Sequence, residues 1–216
     1  MDWERVNIWT NTLYTLIQSI EIARHRRFGD LTEIGNNILS AATWTSQQCS
    51  YASVLVSEPF GNHKVTFRRD PNKHFQQIAS QIIKMLIQDL VTIMDEMLSE
   101  ALAARKEKAG TFPQSKIEKL SLHLSSDYKW AAHGCLELIA ARNVLTHSNG
   151  RWNEKSIAIV KTFVTPAPKN GDRLIIGFPM LFRYRKAMRT FLNEIAPKVS
   201  ASAPPGRIEN RRRVTH

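Results

Sequence analysis

HFQQIASQIIKMLIQDLVTIMDEMLSEALAARKEK, residues 74–108, decides the fold. Phe75, Ile78, Ala79, Ile82, Ile83, Leu86, Ile87, Leu90, Val91, Met94, Met97 and Leu98 recur every three or four residues, the period of one face of an α-helix. Neither Pro nor Gly interrupts the pattern before Gly110. At a rise of about 1.5 Å per residue such a helix reaches about 50 Å, more than a domain of this size requires. It is expected to be the longest helix, serving as the spine of a bundle or extending an interface. Lys84, Asp89, Asp95 and Glu100 then fall on its solvated face.

Towards the N-terminus, Val6, Trp9, Leu13, Leu16, Ile17 and Ile20 give a first amphipathic helix within residues 2–27, stopped by Phe28-Gly29-Asp30. A second, less regular stretch runs through Leu31, Ile34, Ile38, Ala42, Trp44, Tyr51, Val54 and Leu55 until Pro59 and Gly61. Residues 59–72 read as an irregular connection, with or without a short strand.

Towards the C-terminus, residues 114–124 suggest a short helix. Residues 126–147 suggest a stronger one through Trp130, Ala131, Cys135, Leu138, Ile139 and Leu145, ended by Ser148-Asn149-Gly150. The Ile-, Val- and Phe-rich segments 157–164 and 173–178 flank a Pro- and Gly-containing loop and read as a small β-hairpin. Pro179 suits the first turn of a last helix carrying Leu181, Tyr184, Met188, Phe191, Leu192 and Ile195, closed by Pro197. The expected fold is all-α: a helical bundle with a long central helix and a minor β-hairpin, one domain over residues 1–197. Residues 198–216, rich in Pro, Ser and Arg, are expected to form a flexible basic tail.

Apolar residues make up 43% and charged residues 23% of the 216, the balance of a chain with a packed core. The formal net charge is +11, and residues 179–216 carry nine Lys or Arg against two Glu, so the surplus is mostly C-terminal. Such a surplus favours phosphate-rich partners, and solubility alone also accounts for it. Cys49 and Cys135 lie in apolar helical patterns without a zinc-ligand spacing, and both are expected to be buried and reduced. Met1-Asp2-Trp3-Glu4 does not open like a signal peptide, and no apolar run approaches the roughly 20 residues of a membrane span. A cytoplasmic protein is expected, with no membrane partner, no metal and no cofactor.

The helix ending at Gly150 carries Arg142, Asn143 and His147 in its last turns, just ahead of a polar turn. Asn143 and His147 are four apart and about 40° from each other on an ideal helix; Arg142 and His147 are five apart and about 140° from each other. These two converge only if the arginine stem bends or the last turn unwinds. One histidine does not readily act as base and acid in a single step, whereas a two-fold dimer brings a second copy to the same cleft.

Arg142-Asn143-Val144-Leu145-Thr146-His147, with the following Ser148-Asn149-Gly150-Arg151-Trp152-Asn153-Glu154, resembles the motif of the HEPN (higher eukaryotes and prokaryotes nucleotide-binding) family. There an Arg is followed by a polar residue, often Asn, and by a His four to six residues on. The resemblance covers roughly residues 74–195 and includes the long helix ahead of the motif.

It implies metal-independent RNA cleavage at a dimer-interface site, in which the ribose 2′-hydroxyl attacks the adjacent phosphodiester and leaves a 2′,3′-cyclic phosphate. It also implies a toxin–antitoxin or phage-defence setting, with an antitoxin or defence-complex protein as a further partner. His147 would move protons, which histidine does near neutrality. Arg142 would hold phosphate oxygens by its planar fork, and Asn143 would orient the ribose or the imidazole. The alternative is a non-catalytic HEPN module binding RNA, a nucleotide or a partner protein; favourable placement of cationic groups at a helix C-terminus alone accounts for Arg142 and His147 in a purely structural bundle.

Candidate RNA contacts are Arg151, Trp152, Arg183, Lys186 and Arg189. Trp152 suits base stacking or covering the core, and the last three suit a backbone groove or a plain solvated face. The cluster Arg24, His25, Arg26 and Arg27 closes the first helix, and His63, His74, His123 and His133 have no partners at metal-ligand spacing.

Overall fold

The computed structural model describes residues 3–25, 71–108 and 110–196, with residues 19–25 and 71–77 described by backbone alone. The expected helical stretch at 31–55, Cys49, His63, the cluster around His25 and the basic tail lie outside the described residues or side chains.

The described chain is a bundle of helices: α1 (Trp3–His25), α2 (Pro71–Ala104), α3 (Pro113–Ser121), a 3₁₀ turn (Ser126–Tyr128), α4 (Lys129–His147), α5 (Glu154–Val160) and α6 (Phe178–Ile195). The periodic stretch at 74–108 is α2, the longest helix, and it buries Ile83, Leu86, Ile87, Leu90, Val91, Met94, Met97 and Leu98. It ends before Gly110 because Lys106 adopts a left-handed conformation, φ 58°, which lets Glu107 N donate back to Leu102 O at 2.9 Å.

α4 packs against α2, α3, α5 and α6, and α2 against α1, α3, α4 and α6, so the two helices together form the centre of the bundle. The buried positions of α4 explain how four neighbours fit, since Ala131, Ala132, Ala140 and Ala141 are small. At Gly134 the approach to α6 is close, because a Cβ built there would lie 2.5 Å from Cβ of Ala187. α6 presents Leu181, Tyr184, Met188, Phe191, Leu192 and Ile195 to this core, as its period predicts.

α1 lies along α2, burying Val6, Trp9 and Leu13, and the Trp9 indole N–H donates to Leu86 O at 3.0 Å. Lys116 of α3 is buried, and its Nζ meets Asp95 Oδ1 at 2.7 Å and Ser99 Oγ at 2.8 Å, closing the α2–α3 corner.

The expected β-hairpin is contradicted: no strand or sheet occurs among the described residues. Residues 154–160 are helical instead, because Asn153 caps the turn by accepting from Ser156 N and because Ser156 and Val160, four apart, are the buried positions. Of the second segment, only Arg173 pairs in β fashion, in one isolated bridge to Arg151. Ile175, counted towards that strand, is 87% exposed. Trp130, expected on the core face of α4, is also exposed. Among the described residues, no helix is long and apolar enough to cross a membrane.

Candidate functional site

α4 carries the motif to its last turn. Asn149 and Gly150 take left-handed conformations, φ 50° and 75°, and Gly150 N returns to Val144 O at 3.0 Å. The turn is held from outside as well, since the Asn153 side-chain amide donates to Ser148 Oγ. The loop after α5 comes back to it through Trp152 N to Asp172 O at 2.8 Å and Leu174 N to Gly150 O at 2.9 Å. On the other side, Gln88 of α2 donates to Thr146 Oγ1 at 3.3 Å.

On this scaffold the arginine stem bends along the helix rather than the helix unwinding. Arg142 Nη1 donates to Asn143 Oδ1 at 3.1 Å and sits 3.3 Å from His147 Nε2. A guanidinium only donates, so a hydrogen bond between the two requires Nε2 as the acceptor. Asn143 thus braces the guanidinium, a contact that helical angles alone did not indicate. Arg142 and Asn143 are half-buried and His147 is exposed.

Arg142 and Asn143 line a cleft of about 470 Å³ between α2, α3 and α4, which His147 does not line. Its acidic lining is already engaged: Asp95 pairs with Lys116 and Glu96 with Arg5. Phe112, 71% exposed, also lines the cleft.

The other candidates do not all gather here. Arg151 is exposed and donates to Gly171 O at 3.0 Å; Trp152 beside it is half-buried. Arg183 and Lys186 line a separate cavity between α4 and α6 that has no lining residue in common with the Arg142 cleft. Arg189 lies over the Trp3 ring at 5.8 Å, a cation–π contact to α1. His123 pairs with Glu107 at 3.0 Å; that hydrogen bond, with Lys119 beside it, holds the Glu107 carboxyl below its ordinary value. His133 stacks on Phe163, and burial lowers its basicity. Cys135 is buried and free, and burial pushes its thiol well above the ordinary range. Among the described residues no three His, Cys, Asp or Glu side chains cluster as metal ligands.

Gln88 escaped the sequence reading because a glutamine on a long polar face carries no signal of its own. Asn153 left a readable one: an Asn three residues before Ser156, at the start of a helical turn. No family model, no curated protein and no solved structure matches this chain.

Proposed function

We propose that this chain is a metal-independent endoribonuclease of the HEPN type, acting as a homodimer whose clefts combine Arg142, Asn143 and His147 from two copies. The observation that carries the reading is the hydrogen-bonded convergence of these three side chains at the accessible end of α4. In the proposed reaction a His147 imidazole takes the proton of the ribose 2′-hydroxyl, whose oxygen attacks the adjacent phosphorus. The P–O5′ bond breaks, and a second imidazole protonates the departing 5′-oxygen. The products are a 2′,3′-cyclic phosphate and a free 5′-hydroxyl.

Arg142 holds the non-bridging phosphate oxygens as charge develops on them. Because phosphate competes for the guanidinium, substrate binding draws Arg142 away from Nε2 and frees that nitrogen to act as base. Asn143 keeps the guanidinium in place for this exchange. The exposed position of His147, outside the cleft lined by Arg142 and Asn143, suits a site completed by a second copy. Arg151 and Trp152 follow the motif directly and extend the RNA path. By the same resemblance, the setting is a toxin–antitoxin or phage-defence system, with an antitoxin or defence-complex protein as partner.

Incubating the purified protein with varied RNAs in EDTA and analysing the product ends tests the reading. Cyclic phosphates support it. Intact RNA bound without cleavage favours a non-catalytic HEPN module that binds RNA, a nucleotide or a partner protein.

A further inference from the structure

The cavity between α4 and α6 has a volume of about 530 Å³, within the range of small-ligand sites. Its lining combines three kinds of chemistry. Trp130 is 46% exposed on α4, and one turn on His133 stacks on Phe163 with ring centroids 4.4 Å apart and planes 4° apart, so three aromatic rings contribute to the cavity lining. Glu137, a further turn along the same face, is half-buried, and its Oε1 accepts from the Tyr184 hydroxyl at 3.2 Å. Arg183 and Lys186, both exposed on α6, stand at the rim.

A cationic ligand would face Arg183 and Lys186, and a purely apolar one would add no donor to the carboxylate beyond the Tyr184 hydroxyl. A planar group whose edge presents two adjacent donors, attached to an anion, satisfies all three features. We propose that this cavity binds a guanosine nucleotide, with the base against the Trp130 and His133 rings, its N1–H and 2-amino group donating to Glu137, and its phosphate at Arg183 and Lys186. The inference stands on these residues and not on the cleavage reading.

The carboxylate is what makes the choice of base. An ionised carboxylate only accepts, and the guanine edge offers two neighbouring donors to it. Adenine and cytosine each offer one donor beside an acceptor, and uracil one donor between two carbonyls. Tyr184 occupies one lone pair of Oε1 and so fixes the orientation of the carboxylate, leaving Oε2 and the second lone pair of Oε1 to the two donors of the ligand. Unpaired bases are read in this way, by stacking on aromatic rings and hydrogen bonding at the Watson–Crick edge. The same chemistry is offered by a free nucleotide and by a guanosine within a single strand.

The test is equilibrium binding to the full chain of GMP, AMP, CMP and UMP. Beside these stand 2′-O-methyl pentanucleotides, which have no attacking hydroxyl, with and without one guanosine. The expected result is saturable binding of GMP at least about tenfold tighter than AMP, the scale of one good bidentate contact. Glu137→Gln, nearly isosteric, should remove that preference. Trp130→Ala, at an exposed position, should weaken every guanosine ligand, and Lys186→Glu should weaken GMP more than guanosine. Stronger binding of the guanosine pentanucleotide than of GMP assigns the site to a strand, and comparable binding assigns it to the free nucleotide; both support the proposal. Absence of saturable binding by either, or a guanosine preference that survives Glu137→Gln, overturns it.

Discussion

Arg142 Nη1 lies 3.3 Å from His147 Nε2 although the two residues are five apart on one helix. Helical geometry alone separates them by about 140°, so the contact depends on the length of the arginine stem and on Asn143, which accepts from the same Nη1. The motif is therefore a chain of side-chain contacts in which each member constrains the next. Disturbing the turn that anchors this end of α4 should disturb the site as well as stability.

Asn153 joins the two sides of that turn, accepting from Ser156 N at 2.9 Å and donating to Ser148 Oγ. Asn153→Ala should cost about 1–2 kcal/mol, the scale of a lost N-cap, read from urea unfolding. Asn153→Asp keeps the acceptor at the cap and should recover most of that loss.

Gly134→Ala tests the α4–α6 contact. The added methyl would sit 2.5 Å from Cβ of Ala187, so the helices must part. The overpacking should outweigh the gain in helix propensity and leave a net loss of about 1–3 kcal/mol, measured by thermal unfolding. Gly134→Ala combined with Ala187→Gly should recover part of it.

At the α2–α3 corner, Asp95→Ala would leave the buried Lys116 ammonium with only Ser99. Asp95 is about a third exposed, so the loss should fall below that of a fully buried pair, at about 2–3 kcal/mol. Lys116→Met in the Asp95→Ala background retains the apolar stem and removes the stranded charge, and should be more stable than Asp95→Ala alone.

Burial raises the Glu137 carboxyl above its ordinary value of 4.5, against the lowering effects of the Tyr184 hydroxyl and the Arg183 charge. The folded state then binds more protons than the unfolded chain just above pH 4.5, so this group's contribution is fully present below that pH and is lost as pH rises through the raised value. Glu137→Gln should flatten this part of the stability–pH profile. An unchanged slope across that window would show that the carboxyl is solvated.

Long amphipathic helices were legible in the sequence because their burial follows one face: Leu86, Leu90, Met94 and Met97 on α2 and Leu181, Tyr184, Met188 and Phe191 on α6 are all buried. Residues 154–160 were not, because their Ile and Val content suits a strand, whereas the Asn153 cap and the burial of Ser156 and Val160 one turn apart suit a helix. The end of α2 was hidden in Lys106, a residue type that rarely takes a left-handed conformation. Arg142, Asn143 and His147 were visible as a motif, yet their mutual contacts depend on a side-chain path that spacing does not specify. Helical period places Trp130 on the core face, whereas it is 46% exposed and lines a cavity.

The most direct measurement is the rate of RNA cleavage in EDTA by His147→Ala beside the wild-type protein, with both shown to have the same helical content and oligomeric state. The account predicts that wild type releases 2′,3′-cyclic phosphates and that the variant is slower by about 10²–10⁴-fold, the span expected for lost proton transfer. Wild-type protein inert on varied RNAs, or a variant as active as wild type, would contradict it.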